Sequence, residues 1–109
     1  KAQLEGLCAI KAGIKGKDAD SAARKIISDA GYGNCFGHSL GHGVGLEIHE
    51  LPNLSPSSDI ILCENMIVTC EPGIYVDGFG GVRIEDMGAV TKDGCLNLAS
   101  SPKELIICG

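Results

Sequence analysis

The spacing of apolar residues changes from helical to extended near Tyr32, and this change limits the folds open to the chain. From Asp18 to Ala30 apolar residues follow the i, i+3, i+4, i+7 pattern of an amphipathic helix. Residues 1–12 predict a shorter helix that ends at Gly13, with Leu4, Leu7 and Cys8 on one apolar stripe. Beyond Tyr32, short apolar segments are separated by turn residues, as in antiparallel strands. Helices followed by strands predict an α+β fold with both helices packed on the sheet.

The strand predictions rest on alternation and on turn chemistry. Val44–Glu50 alternates, and the further predicted strands are Ile60–Leu62, Met66–Glu71, Ile74–Val76, Val82–Val90 and Leu105–Cys108. Leu51–Ser58 is rich in Pro and Ser and predicts a loop. The Asp93-Gly94 pair lies between two apolar segments and predicts a tight hairpin.

The segment GHSLGHGVGLEIHELP contains all three histidines of the chain, His38, His42 and His49. His42 and His49 are seven residues apart, so one regular strand would direct them to opposite faces. The glycines at positions 41, 43 and 45 offer a kink or a turn that could bring the two rings together. This segment is therefore the first candidate for a functional site.

Two acidic residues lie in apolar surroundings further along the chain, Glu71 in IVTCEPGIY and Glu85 in GGVRIEDMGAV. A carboxylate among apolar neighbours is costly unless it is paired or bound to a metal. Imidazole and carboxylate together are ligands of first-row transition metals that activate water. Considered alone, each glutamate would more often face water on a strand, and His42 would more often simply hydrogen-bond within a turn. Strand alternation directs Asp86 away from Glu85, and Asp86 is not a candidate.

Charge and cysteine content narrow the classes of function. The 109 residues have a formal net charge of −5 and no long basic run, which disfavours a nucleic-acid partner. No CxxC pair occurs among the six cysteines, and most of them lie in apolar segments, so we expect buried, reduced thiols and a cytoplasmic protein. No segment approaches the roughly 20 apolar residues needed to span a bilayer, so no membrane partner is expected.

Three motifs, HSLGHGVGLEIHELP, VTCEPGIY and GGVRIED, occur in an order that resembles the C-terminal half of the pita-bread metallopeptidases. They are most similar to the proline-directed branch, the Xaa-Pro aminopeptidases and Xaa-Pro dipeptidases. The resemblance implies that residues 1–109 are the C-terminal portion of a catalytic domain, half of a pita-bread fold with two helices on a curved antiparallel sheet. It implies hydrolysis of Xaa-Pro bonds in proline-containing peptides by a hydroxide activated by two divalent ions. Manganese is the expected metal, with cobalt or zinc as alternatives, and the parent protein is expected to be a homodimer.

The same resemblance assigns metal ligands and catalytic groups. It implies that His42, Glu71 and Glu85 are metal ligands, with Glu85 bridging the two ions and Glu71 also handling a proton.

The resemblance also places other catalytic groups around the substrate. His38 and His49 would hydrogen-bond the substrate or exchange protons with it, and His38 favours the proline-directed branch over methionine aminopeptidase. Arg83 would hold the Glu85 carboxylate or a substrate carboxylate through bidentate hydrogen bonds. A structural ion pair is the simpler interpretation of Arg83.

The chain departs from the family pattern in one important respect. The resemblance implies five ligands, and two of them are aspartates from a hairpin upstream of the first helix. Asp18 and Asp29 are eleven residues apart but lie on or beside a helix, and we do not assign them this role. We therefore expect a fragment that is inactive or nearly so by itself. The alternatives are a non-catalytic pita-bread scaffold that binds peptides or proteins, and creatinase-like C–N hydrolysis without metal.

Overall fold

The structure is a computed structural model that describes all residues from 1 to 109, and its first part is helical. Helix α1 spans Ala2–Ala9, helix α2 spans Gly16–Asp29, and a single 3₁₀ turn follows at Gly33–Cys35. The start of α2 is capped where the Lys15 backbone N–H donates to the Asp18 carboxylate at 3.3 Å. Both predicted helices are therefore present, and α1 ends earlier than predicted.

The predicted buried face of α1 is only partly correct, because Leu7 packs against the core but its two companions do not. Leu4 and Cys8 are exposed, whereas Gln3 and Gly6 are buried. A Cβ on Gly6 would meet the Cys70 sulfur at 2.9 Å, so this glycine allows α1 to pack closely on the strand that contains Cys70. An apolar stripe could not reveal this face, because its central residues are a glycine and an amide.

Seven strands follow the helices, and all of their pairings are antiparallel. They are β1 (Gly41–Gly43), β2 (Glu50–Leu54), β3 (Ile67–Cys70), β4 (Gly73–Val76), β5 (Gly80–Arg83), β6 (Asp86–Val90) and β7 (Cys95–Asn97). Five strands form one sheet in the order β2-β1-β3-β6-β7, and β4 and β5 form a separate hairpin. Two helices and an antiparallel sheet confirm the predicted α+β fold.

Several strand predictions are wrong in position. Residues 45–49, predicted as a strand, are a series of bends, and the pairing of β1 with β2 shifts register between His42 and Gly43. Strand β2 instead begins at Glu50, inside the predicted loop. Pro52 fits there because β2 is an edge strand, which does not require every N–H.

Three further strand predictions need correction. The predicted strand Val82–Val90 is divided into β5 and β6, with Ile84 and Glu85 between them. Ile60–Leu62 contributes only an isolated bridge between Ile61 and Lys15, and Leu105–Cys108 contains no strand.

The hairpin predicted at Asp93-Gly94 is confirmed by the β6–β7 pairing, in which Val90 faces Cys95. There the Thr91 backbone N–H donates to the Gly94 carbonyl at 2.8 Å.

The two helices cover one face of the five-stranded sheet. The core cluster contains Ile10, Ala19, Ala23, Leu40, Leu54, Leu62, Val68, Cys70 and Val90. Because Val68 and Cys70 point towards the helices, alternation along β3 directs Thr69 to the opposite face, and Glu71, which follows the strand, continues this pattern. The candidate residues therefore lie on the sheet face that the helices leave open. Neither α1 nor α2 has the length and the apolar content of a membrane-spanning helix.

All six cysteines are free thiols, but the expectation that most are buried is wrong. Only Cys70 is buried, Cys35 and Cys95 are half-buried, and the remaining three are exposed. Desolvation of the buried side chain, with the nearby Cys95, Asp86 and Glu71, raises the pKa of Cys70 to about 12.

Candidate metal and substrate site

His42 and Glu71 form the centre of the site, from strand β1 and from the residue that follows β3. The His42 Nε2 atom lies 3.2 Å from Glu71 Oε1. Thr69 joins the two residues, since its hydroxyl accepts from the His42 backbone N–H at 3.0 Å and donates to Glu71 Oε1 at 2.8 Å. The Glu71 backbone N–H also donates to the Leu40 carbonyl at 2.7 Å, which fixes its main chain beside β1.

The orientation of the His42 ring suits a metal ligand. Its Nδ1 atom lies 2.9 Å from the Gly43 carbonyl, which can only accept, so Nδ1 carries the proton in the neutral ring. The Nε2 lone pair then faces Glu71, as in histidines whose second nitrogen is oriented by a carbonyl. A 3.2 Å separation also suits two ligands that each bind one ion at roughly 2.1 Å. His42 and Glu71 therefore fit a shared divalent cation.

Glu85 is connected to this pair through Arg83. The Arg83 Nε atom lies 3.8 Å from Glu71 Oε2 and also 3.8 Å from Glu85 Oε2. The Glu85 side chain is 45% exposed, against 13% for Glu71. No group of three His, Cys, Asp or Glu side chains is close enough to form a metal cluster in this structure. The hydrogen bond to Tyr75 and the charges of the two glutamates raise the pKa of Arg83, so the guanidinium stays charged.

The other two histidines line the same cleft. The His49 ring is 4.6 Å from the His42 ring, centroid to centroid, so the bends at residues 45–49 bring together two rings that a regular strand would separate. His38 donates from Nδ1 to the Ser39 carbonyl at 2.8 Å, and its Nε2 atom lies 3.0 Å from the Tyr75 hydroxyl. These contacts place His38 at the wall of the same cleft.

The cleft has a volume of about 370 Å³, and its lining is polar. It is lined by His38, Ser39, Gly41, His42, His49, Asn53, Glu71 and Arg83. Five of the six predicted site residues thus share one cleft, and the sixth, Glu85, reaches it through Arg83.

Sequence reasoning did not identify three residues that shape this site. Thr69 connects His42 to Glu71, Tyr75 contacts both His38 and Arg83, and Asn53 lines the cleft. Thr69 could have been found, because it is two residues before Glu71 in an extended segment and therefore shares its face. Tyr75 and Asn53 depend on the β4–β5 hairpin and on the β1–β2 register, which local patterns do not reveal.

Aspartates outside the cleft behave as the sequence suggested. Asp86 points away from Glu85 and receives a hydrogen bond from Gln3 of α1 at 2.6 Å. Asp18 caps α2, and Asp29 pairs with Lys25 on the exposed side of the same helix.

Comparison with known proteins defines the class. Residues 1–92 match the family model described as metallopeptidase family M24. The chain therefore belongs to metallopeptidase family M24.

Several relatives within this family are named as Xaa-Pro dipeptidases or prolidases. The chain is 50% identical to an Xaa-Pro dipeptidase of Lactobacillus delbrueckii subsp. lactis over 95% of its own length and 28% of that protein. Among solved structures, an Xaa-Pro dipeptidase from Bacillus anthracis matches with a TM-score of 0.96 and 56% identity, covering 98% of this chain and 30% of that one. A prolidase from Pyrococcus furiosus matches with a TM-score of 0.91 and 49% identity, covering 94% of this chain and 30% of that one. The chain thus spans about 30% of the length of these relatives, and over that part it shares their pita-bread fold.

Proposed function

We propose that this chain supplies the imidazole and the two glutamates of a dinuclear metal site in a peptidase that hydrolyses Xaa-Pro bonds. The ligands are His42, Glu71 and Glu85, and two further carboxylates come from a segment that corresponds to the upstream part of the relatives. The observation that carries the proposal is the His42–Glu71 contact of 3.2 Å in a polar cleft that also contains His38, His49 and Arg83. The names of the relatives, Xaa-Pro dipeptidase and prolidase, support the substrate class.

The residues of the chain have separate tasks in this proposal. Divalent ions supply activation of water and polarisation of the substrate carbonyl when they are bound. Glu71 would hold a metal through a carboxylate oxygen and would be the group placed to accept a proton from water, while the Thr69 hydroxyl donates to its Oε1 atom and orients it. His49, beside His42, donates to the substrate carbonyl or to the leaving amine.

His38 and Arg83 form the substrate-binding wall of the cleft. His38 binds the residue at the proline position, with its ring oriented by Ser39 and Tyr75. Arg83 lies between Glu71 and Glu85, where its positive charge faces both carboxylates and can also bind a substrate carboxylate.

We propose manganese as the native metal, since carboxylate and imidazole ligands suit Mn²⁺, and cobalt or zinc would fit the same atoms. The proposal also includes a cytoplasmic location, consistent with six free thiols, and a homodimeric parent. Three ligands can hold one ion weakly but do not complete a two-metal site. The 109-residue chain alone is therefore expected to show little turnover of Ala-Pro or Gly-Pro with Mn²⁺ or Co²⁺.

The test is a transplant into a complete relative. The segment of the Bacillus anthracis Xaa-Pro dipeptidase that aligns with this chain is replaced by residues 1–109, and the chimera is assayed on Ala-Pro and Gly-Pro with Mn²⁺. Activity within about tenfold of the host supports the proposal, because 56% identity and a shared backbone leave the upstream ligands in place.

Variants of the chimera then identify the ligands. His42→Ala, Glu71→Gln and Glu85→Gln are each expected to lower kcat by more than about 100-fold, since even residues behind a metal ligand can cost 10- to 100-fold. Glu64→Gln is the matched control, because Glu64 is an exposed glutamate outside the cleft. A soluble, metal-loaded chimera that binds Xaa-Pro peptides without cleaving them would contradict the proposal and favour the peptide-binding scaffold.

A further inference from the structure

Helix α2 carries an ion pair whose surroundings differ from those of an ordinary helix-surface pair. Arg24 Nε donates to Asp20 Oδ2 at 2.7 Å, and Arg24 Nη2 donates to Asp20 Oδ1 at 3.0 Å. The Asp20 side chain is 1% exposed and that of Arg24 is 25% exposed. Exposed pairs at i, i+4 contribute only a few tenths of a kcal/mol to a helix. A buried, bidentate pair needs a further role to account for its placement.

The same two side chains bind the backbone of the segment that leads into strand β1. Arg24 Nη1 donates to the Phe36 carbonyl at 2.9 Å, and Arg24 Nη2 donates to the His38 carbonyl at 2.8 Å. The Leu40 backbone N–H donates to Asp20 Oδ1 at 3.0 Å. Three alternate residues of one segment are thus attached to one pair on α2.

This attachment replaces the hydrogen bonds of a sheet. Residues 36–40 belong to no strand, so no ladder fixes them on the side that faces α2. The Arg24 guanidinium carbon also lies 4.1 Å from the centroid of the Phe36 ring, a cation–π contact. The Phe36 ring in turn meets the His38 ring edge-on, with 5.1 Å between centroids and an angle of 88°. Arg24 therefore touches both the main chain of His38 and the ring that packs against it.

We propose that Arg24, with Asp20 as its buried counter-ion, is the positioning residue for His38. It holds the His38 backbone so that Nδ1 donates to the Ser39 carbonyl and Nε2 remains free to accept from the Tyr75 hydroxyl. This inference rests on the proposed function only in giving His38 a task at the substrate. The placement itself follows from contacts that do not involve a metal or a peptide.

The competing interpretation is that the pair only stabilises α2, and one substitution separates the two. Arg24→Lys keeps the positive charge and a contact with Asp20, but it loses the planar set of donors that reaches two carbonyls and stacks on Phe36. Lys25→Met is the matched control, because Lys25 forms the exposed i, i+4 pair with Asp29 at the next position of the same helix. If the Asp20–Arg24 pair only stabilises α2, Arg24→Lys and Lys25→Met are expected to have similar effects on the segment that contains His38.

The measurement uses the ¹⁵N-labelled 109-residue chain at one fixed pH above neutrality. Two-bond imidazole correlation spectra report the tautomer of each histidine, with His38→Gln to assign the signals. The unsubstituted chain and Lys25→Met are expected to show the Nδ1-protonated form of His38. In Arg24→Lys the two His38 nitrogen shifts are expected to move towards their average, and the Leu40 amide is expected to exchange with solvent about tenfold faster or more.

An unchanged His38 tautomer and unchanged Leu40 protection in a folded Arg24→Lys chain would overturn the inference. If Arg24→Lys does not fold, Asp20→Asn provides the same readouts, because it keeps the shape and removes the charge that orients Arg24. In the chimera, Arg24→Lys is expected to raise KM by about tenfold with a smaller change in kcat. Spectral changes in the isolated chain with no effect of His38→Gln on KM in the chimera would leave the positioning role intact and reject the substrate role of His38.

Discussion

The buried aspartate Asp86, which faces helix α1, and the cleft glutamates Glu71 and Glu85 differ in how many partners their carboxylates have within the chain. Asp86 is 2% exposed and has three partners, with Gln3 at 2.6 Å, Asn97 at 3.0 Å and Lys103 at 2.8 Å, the last an ion pair outside hydrogen-bond geometry. Glu71 is less buried and accepts one side-chain hydrogen bond, from Thr69. Glu85 has only the Arg83 nitrogen, at 3.8 Å.

This difference separates structural from functional carboxylates. A buried carboxylate is tolerated when internal donors replace water. Asp86 meets that condition at Oδ2, which accepts from two amides, while the Lys103 ammonium offsets the charge at Oδ1. Glu71 and Glu85 keep lone pairs that the protein does not use, which is what a ligand to a cation requires. The contrast is sharpest at Glu85 and Asp86, which are neighbours in the chain but point to opposite faces. Asp86 has three partners, whereas Glu85 has only Arg83.

The largest expected effect is at the buried carboxylate. Asp86→Ala removes the shared partner of Gln3, Asn97 and Lys103 and leaves an unpaired lysine near the core. The free energy of unfolding is expected to fall by about 3–5 kcal/mol, the cost of breaking a buried pair. Urea denaturation followed by circular dichroism measures it. A loss below about 1 kcal/mol would show that Asp86 is not a structural carboxylate and would remove the contrast.

Lys103→Met tests one of the three partners of Asp86. The aspartate keeps both amide donors but loses its only positive neighbour, so a loss of about 1–3 kcal/mol is expected. Lys92→Met, at an exposed lysine beside the β6–β7 turn, is the control and should change stability by less than about 0.5 kcal/mol. Equal losses in the two variants would mean that Asp86 is satisfied without the C-terminal segment.

The same contrast explains how much of the structure the sequence predicts. Local chemistry identified helix α2, the Asp93-Gly94 hairpin and the opposite directions of the Glu85 and Asp86 side chains, because turn residues and alternation act over a few positions. It also drew attention to the histidine segment and to Glu71 and Glu85 as carboxylates among apolar neighbours, whereas their roles and the choice of Arg83 were implied only by the resemblance to the family.

Predictions failed where distant contacts decide the conformation. Val44–Glu50 alternates like a strand, yet the register shift after His42 and the pairing with Glu50 place bends there instead. The buried face of α1 depends on the close approach of Gly6 to Cys70, and the Asp20–Arg24 attachment to the His38 segment joins positions that show no common pattern.

A cleft carboxylate should behave in the opposite way to Asp86. Glu71→Gln keeps an oxygen to accept from Thr69, so stability without metal is expected to change by less than about 1 kcal/mol. Millimolar Mn²⁺ is expected to raise the melting temperature of the unsubstituted 109-residue chain and of Glu64→Gln, since a ligand that binds the folded state stabilises it. The melting temperature of Glu71→Gln is expected to stay unchanged. Differential scanning calorimetry with and without EDTA measures this. Equal increases in melting temperature with Mn²⁺ in the unsubstituted chain and in Glu71→Gln would exclude Glu71 as a metal ligand.

The smallest effect is expected at a carboxylate that is paired but exposed. Asp59 lies 2.9 Å from Lys15 Nζ and 2.7 Å from Lys17 Nζ, and hydrogen bonds from Lys17 and Lys15 lower its pKa from 3.8 to about 2. A lowered pKa means that the pair stabilises the fold above pH 3.8 and that this contribution disappears as the pH falls towards 2. In Asp59→Asn the contribution is lost at every pH, so the difference in urea midpoint from the parent should be small at pH 6 and should vanish near pH 2. Glu104→Gln, at an exposed glutamate without an ion pair, is the control. A difference in urea midpoint that grows as the pH falls would have the wrong sign for a paired carboxylate. It would show that the ion pairs of Asp59 do not stabilise the fold.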